Sequence, residues 1–289
     1  MNAPEEINVY ATFYPIYAAA AMITENVPDL RLNCLVQPQD GCLRSYGLSD
    51  WDAALLGSAD AVIAGGHGLE RFEAALQLLG EEQTAVAEVL YNMEFMECTA
   101  ENTDPDSDSH WLDANPHIYM SVDGAAEIAG RIAQSMAVLD PRYEALYLEN
   151  LARAEQRLAS LREEMRAEVD EFAGESVAVL NEALVYSARD FGLEAELCWD
   201  RESGESMDAE ELQQLLAAMN ARGIRVALIE KQAPQSLLEA LARAGIAAAA
   251  LDVLSTRRAD EGYEGYFAAQ RANAAAVRAA YLSILEENV

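Results

Sequence analysis

Short apolar runs alternate with longer stretches of helical periodicity along most of the chain. Ile7–Phe13 predicts a first strand, and the segment from about Pro15 to Glu25 predicts a helix directly behind it. Three further runs, Leu30–Val36, Ala59–Ala64 and Ala85–Leu90, have the composition of strands. Strands that alternate with helices form parallel sheets covered on both faces, so the first half of the chain predicts an α/β lobe.

Helix signals fall between these runs. Ser49 is a favoured N-cap residue and predicts a helix that begins at Asp50. A second helix is predicted from about Leu69 to Leu79, beyond the Gly65-Gly66 pair that ends a strand. Both helices fit the alternation expected of an α/β lobe.

One long helical pattern runs from about Pro141 to Phe172. Its apolar residues recur at three- and four-residue steps, and neither Gly nor Pro occurs after Pro141. At about 1.5 Å per residue, about 30 residues span about 45 Å. Such a length is typical of a helix that connects two lobes rather than one that lies within a single lobe.

The alternation resumes after this helix. Strands are predicted at Val177–Leu180, Ala195–Trp199, Val226–Glu230 and Ala247–Leu251, and a final helix from about Tyr266 to Leu285. The predicted fold class is therefore α/β, with two parallel-sheet lobes joined by a single long helix. The predicted division is an N-terminal lobe of residues 1–140, a linking helix of residues 141–172 and a C-terminal lobe of residues 173–289.

The net charge of the chain limits the classes of molecule that it can bind. The chain of 289 residues carries 50 acidic and 19 basic side chains, a formal net charge of −31, and Lys231 is its single lysine. This balance repels nucleic acid, so no nucleic-acid partner is expected. The opening Met1–Glu5 has neither the basic start nor the apolar stretch of a signal peptide, so either the protein is cytoplasmic or a leader segment is missing.

Ligands of open α/β sheets bind beyond the carboxyl ends of strands, so the segments that follow strands are the places to look for a site. The order of several motifs resembles the metal-binding subunits of zinc and manganese ABC importers over nearly the full length. The residues that carry this resemblance are Thr12–Tyr17, Ala59–Glu70, Asn115-Pro116-His117 and the loop Asp200–Glu205.

The resemblance implies an extracytoplasmic solute-binding subunit, either periplasmic or lipid-anchored at the cell surface. Its cargo would be Zn²⁺ or Mn²⁺, captured in a cleft between the lobes, and its partner would be the membrane permease of the transporter. A monomer is expected. Members of this family are not enzymes, and the chain has no GxSxG, HExxH or GxxxxGK[ST] motif.

The same resemblance implies one metal ligand from each of four segments. His117 matches the second histidine and Asp252 the terminal carboxylate. Arg44 stands where the first histidine belongs, and Asn181 stands where a histidine or carboxylate belongs. Glu182, beside Asn181, is the candidate replacement. Cys42 and Tyr46, on either side of Arg44, are expected near the cleft; Cys42 fits a disulfide or a buried thiol better than a ligand.

Arg44 leaves two functions open. A guanidinium stays protonated and has no lone pair to donate, so it repels a metal ion at short range. In one function Arg44 points away and the protein remains a metal receptor. In the other the protein is a divergent member that no longer binds metal, because Arg44 replaces the cation by pairing with Asp252 or Glu182, or receives an anionic ligand.

Overall fold

A computed structural model describes residues 6–37, 46–81, 84–96, 100–102, 115–199, 207–255 and 257–286. These residues form two four-stranded sheets, ordered β2-β1-β3-β4 and β6-β5-β7-β8, and every paired strand is parallel. The predicted α/β class with two parallel sheets is confirmed. By their contacts, the described residues of 1–93, 122–160 and 254–267 form a first unit, and those of 94–121, 161–253 and 268–286 form a second.

The first sheet is centred on β1 and β3. All four residues of β3 are buried, as a strand covered on both faces requires. Helix α1 packs against α4 beside this sheet. The elements are β1 (Ile7–Ala11), α1 (Tyr14–Ile23), β2 (Leu30–Cys34), α2 (Asp50–Gly57), β3 (Ala61–Ala64), α3 (Glu73–Glu81), β4 (Ala85–Glu88) and α4 (Val122–Leu139).

Helix α2 begins where the sequence predicts it. The Ser49 hydroxyl accepts a hydrogen bond from the Asp52 backbone N–H at 3.2 Å, and the Asp52 carboxylate accepts one from the Ser49 N–H at 2.9 Å. This reciprocal pair is a capping box, which satisfies N–H groups that have no partner inside the helix.

Two features of the first unit depart from the predictions. Helix α3 begins at Glu73 rather than near Leu69, because the Glu70 side chain turns back to the backbone of Gly65 and Gly66. Helix α4, with a continuous buried apolar face, is absent from the predictions above. Its internal glycines, Gly124 and Gly130, lower its helix propensity, so tertiary packing rather than local preference stabilises it.

The long predicted helix is present with shorter bounds. Helix α5 runs from Glu144 to Val169 and is flanked by the 3₁₀ helices Pro141–Tyr143 and Asp170–Phe172. Its 26 residues correspond to about 39 Å. Residues up to Ser160 belong to the first unit and those from Leu161 to the second. None of the described helices combines the length and apolar character needed to span a bilayer.

The second unit repeats the α/β alternation. The described strands lie within two residues of their predicted bounds, and β7 and β8 coincide with them. Its core packs residues of α7 and α8 against the sheet, among them Leu215, Met219 and Leu237. The elements are β5 (Ser176–Val179), α6 (Leu184–Asp190), β6 (Glu194–Cys198), α7 (Ala209–Arg222), β7 (Val226–Glu230), α8 (Gln235–Arg243), β8 (Ala247–Leu251) and α9 (Glu264–Glu286), whose first four residues belong to the first unit.

Glu70 joins the ends of two strands of the first sheet. Its carboxylate is 1% exposed and accepts hydrogen bonds from the Thr12 hydroxyl at 2.6 Å and from the Gly65 and Gly66 N–H groups at 2.7 and 2.8 Å. Burial raises the pKa of Glu70, and the three donors act against that rise. The backbone at Gly66 has φ +75°, which favours glycine.

We predict that Glu70→Gln lowers the stability of the first unit by about 1–3 kcal/mol, because the new amide group leaves a buried backbone N–H without an acceptor. Urea unfolding measures the change. Glu73→Gln is the matched control: its carboxylate also accepts two backbone N–H groups, from His67 and Gly68, but at exposed positions. Equal losses in both variants would contradict the role assigned to Glu70.

Candidate metal centre

His117 is fixed at the start of a short 3₁₀ helix in the second unit. This helix, His117–Met120, follows Pro116, and the His117 side chain is buried. The Met120 carbonyl accepts a hydrogen bond of 2.9 Å from the Gln270 amide of α9. The next residue, Ser121, donates its hydroxyl proton to the Asp190 carboxylate of α6 at 3.0 Å. The C-terminal end of the segment is therefore held by α6 and α9.

The ring nitrogen Nδ1 of His117 faces two oxygen acceptors. Asn115 Oδ1 lies 3.0 Å from it and Glu182 Oε1 lies 3.2 Å from it. The Asn115 amide group is oriented by its own Nδ2, which donates to the Glu182 carbonyl at 2.8 Å. Because both neighbours are acceptors, Nδ1 carries the proton. In the neutral ring, Nε2 then holds the lone pair that a metal ion needs.

Tyr186 ties the Asn115 segment to the rest of the unit. Its hydroxyl donates to the Asn115 carbonyl at 2.6 Å and accepts from the Met96 N–H at 3.0 Å. The side chain is fully buried, and this burial raises the pKa of Tyr186 to about 12. The phenol therefore keeps its proton, and its role as a donor, throughout the physiological range.

The third predicted segment presents Glu182 rather than Asn181 to the histidine. Asn181 Oδ1 accepts a hydrogen bond from the Ala183 N–H at 3.0 Å, which forms a local turn before α6. The oxygen through which an amide would bind a metal is therefore engaged in that turn. Glu182 is only 6% exposed, and its carboxylate contacts His117.

Asp252 directly follows β8 and lies beside a lysine. Its backbone is held by Asn273 of α9, whose amide accepts from the Asp252 N–H at 2.8 Å and donates to the Asp252 carbonyl at 3.1 Å. The Asp252 carboxylate is buried and lies 3.6 Å from Lys231 Nζ. Lys231 directly follows β7, so a search of the residues after each strand could have found it; the sequence interpretation overlooked it.

The remaining predicted residues lie elsewhere. Tyr46 donates its hydroxyl proton to the Asp52 carboxylate at 3.0 Å and packs edge-on against Phe72, so it supports the start of α2 in the first unit. Arg44 and Cys42 lie outside the described residues. Within the described ranges, no three or more His, Cys, Asp or Glu side chains are arranged to hold a metal ion. Among the described residues, His117 contacts Glu182, and Asp252 contacts Lys231.

Comparison with known proteins identifies relatives of the whole chain. The family model described as zinc-uptake complex component A, periplasmic (ZnuA), matches residues 9–280. No curated protein sequence matches the chain.

Solved structures share the fold at low sequence identity. FpvC from Pseudomonas aeruginosa in complex with Mn²⁺ superposes with a TM-score of 0.83 at 20% identity, covering 98% of this chain and 100% of that one. The Zn(II)-bound ZnuA-like domain of Streptococcus pneumoniae AdcA gives 0.76 at 19%, covering 95% and 98%. The metal-dependent lipoprotein YcdH of Bacillus subtilis gives 0.75 at 19%, also covering 95% and 98%.

We predict that Tyr186→Phe lowers the stability of the second unit by about 1–3 kcal/mol, because the Asn115 carbonyl and the Met96 N–H both lose their hydrogen-bond partner. Urea unfolding measures the loss. Tyr281→Phe removes a hydroxyl that makes one longer contact, 3.4 Å to the Ser176 carbonyl, and is the control. A loss in Tyr186→Phe no larger than in the control would refute the bridging role.

Proposed function

Because the chain belongs to the family of periplasmic zinc-uptake components, we propose that it is the extracytoplasmic solute-binding subunit of an ABC importer for a divalent metal ion, Zn²⁺ or Mn²⁺. Its family is one of transport components, not of enzymes. The partner that receives the ion is the membrane permease of the transporter. The net charge of −31 raises the local concentration of cations around the protein.

The observation that carries the proposal is the orientation of the His117 ring. A metal-binding histidine commonly donates its second ring N–H to a carboxylate or carbonyl oxygen, which fixes the ring and makes the other nitrogen more basic. His117 has this arrangement, because Nδ1 lies 3.0 Å from Asn115 Oδ1 and 3.2 Å from Glu182 Oε1. Nε2 is therefore the proposed ligand atom, and Glu182 is a supporting carboxylate rather than a ligand.

Asp252 is the proposed carboxylate ligand. It follows the last strand of its sheet, and two hydrogen bonds with Asn273, one accepted and one donated by the Asn273 amide, hold its backbone in place. Imidazole nitrogen suits Zn²⁺, whereas carboxylate oxygen suits Zn²⁺ and Mn²⁺ alike. A set that mixes the two donors is compatible with both ions. The metal-bound structures of relatives, FpvC with Mn²⁺ and AdcA with Zn(II), support this range of cargo.

One observation favours a second function, in which the protein has kept the fold but no longer binds metal. The carboxylate of Asp252 already has a cation beside it, the ammonium group of Lys231 at 3.6 Å. Arg44, which replaces a ligand in the family pattern, would add a second permanent positive charge if it lay near the site. A protein of this kind would bind an anionic or chelated ligand, or none.

Metal titration of the chelator-stripped protein decides between the two functions. We predict submicromolar binding of Zn²⁺ or Mn²⁺, and loss of that binding in His117→Ala, because the variant lacks the ligand nitrogen. His67→Asn is the control, since His67 is an exposed histidine with φ 57° and asparagine tolerates this conformation. Absence of heat and of any rise in melting temperature with either ion would favour the metal-free function.

We further predict that Glu182→Gln weakens metal binding by about 10–100-fold without abolishing it, since loss of a supporting partner misorients the histidine and lowers its basicity. The dissociation constant is measured by competition with a chelating dye. Glu211→Gln is the matched control: this carboxylate of the same unit accepts from Trp199 Nε1 at 3.1 Å and from Asn102 Nδ2 at 3.2 Å. Complete loss of binding would instead make Glu182 a direct ligand.

A further inference from the structure

The one lysine of the chain stands beside the proposed carboxylate ligand because of the sheet register. Glu230 at the end of β7 pairs with Leu251 at the end of β8. The following residues, Lys231 and Asp252, are therefore neighbours at the same edge of the sheet. The Lys231 N–H donates to the Leu251 carbonyl at 2.8 Å, which extends the ladder to this point. The ammonium group lies 3.6 Å from Asp252 Oδ2.

The side chains of Asp252 and Lys231 differ in how freely they can move. The Asp252 side chain is 4% exposed, whereas that of Lys231 is 58% exposed. Asn273 holds the Asp252 backbone through both its N–H and its carbonyl. The Lys231 backbone is held by its hydrogen bond to the Leu251 carbonyl, whereas its ammonium group is carried on a flexible four-carbon stem that water reaches. The carboxylate therefore stays in place while the ammonium group can leave.

We propose that Lys231 is a displaceable counter-ion, which neutralises Asp252 in the metal-free protein and sets the affinity for the incoming ion. The proposal rests on the proposed function, because it takes Asp252 as a ligand of the cargo. It assigns to Lys231 a role in metal affinity that the family's ligand pattern does not include.

The physical reason is the cost of an uncompensated buried charge. A carboxylate taken out of water is unfavourable unless it is paired, so Lys231 stabilises the empty site. A divalent ion that binds Asp252 either displaces the ammonium group into water or suffers repulsion from it. Every ion that binds Asp252 must compete with the same Lys231–Asp252 ion pair. A strongly hydrated ion such as Mg²⁺ gains little from a single carboxylate and therefore binds too weakly to break the ion pair. An ion that also binds imidazole gains enough to do so.

The first test removes the charge and measures Zn²⁺ affinity on stripped protein. Lys231→Met is expected to bind about tenfold more tightly, equivalent to about 1.4 kcal/mol, and Lys231→Arg to bind as the wild type does. Arg243→Met is the matched control, because it removes one positive charge from an exposed residue whose partner, Glu239, lies 3.9 Å away on α8. The control is expected to change affinity less than twofold.

The second test needs no metal. In the stripped protein, Lys231→Met is expected to lower the melting temperature, and the added change Asp252→Asn is expected to restore most of it. Coupling of this kind shows that the ammonium group compensates the buried carboxylate. A third measurement uses the single lysine: acetylation at Lys231, followed by mass spectrometry, is expected to become faster when Zn²⁺ is added.

The outcomes separate the two proposals. Metal binding by the wild type, with Lys231→Met no tighter than Arg243→Met, overturns the counter-ion role and leaves the proposed function standing. If the wild type binds Zn²⁺, acetylation at Lys231 that does not change on addition of the ion also overturns displacement. A wild type that binds no metal while Lys231→Met does supports the counter-ion role strongly. Failure of both proteins to bind, together with absent coupling to Asp252, overturns both proposals.

Discussion

Parallel strands end at one edge of a sheet, and this constraint decides where the polar groups of the second unit stand. Asn181 and Glu182 follow β5, Lys231 follows β7 and Asp252 follows β8. At these ends the chain leaves the hydrogen-bonded ladder, so side chains are no longer needed to cover the sheet faces and become available for a ligand. The same geometry that buries the apolar strands therefore gathers the charged residues.

A buried imidazole has a useful orientation only when its second nitrogen is occupied. Around His117 this condition is met by a closed set of hydrogen bonds: Asn115 accepts from the ring, donates to the Glu182 carbonyl, and is held in turn by Tyr186. Each member fixes the next, so the ring is positioned before any ligand arrives. Preorganisation of this kind lowers the entropy lost on binding.

Local sequence signals predicted most of the fold. Apolar runs located the strands, and the Ser49 cap located the start of α2, because both depend on neighbouring residues. Helix α4 escaped prediction because packing outweighs its two glycines. For the proposed site, the family resemblance supplied His117 and Asp252 as candidate ligands, and both stay predictions. The resemblance did not decide between Asn181 and Glu182, since this choice depends on which side chain closes the turn before α6. Lys231 was overlooked because a lysine is not a metal ligand.

Each buried carboxylate in so acidic a chain needs a partner that compensates its negative charge. The kind of partner determines whether the carboxylate can bind a ligand reversibly. Glu70 is held by three neutral donors, and Glu182 lies against a buried imidazole; both partners are enclosed by the fold. Asp252 instead faces an ammonium group that is more than half exposed. An enclosed donor cannot be exchanged without unfolding its surroundings, whereas an exposed cation exchanges with another cation from solution. Among these three acids, Asp252 is therefore the one whose compensation is compatible with reversible capture of a metal ion.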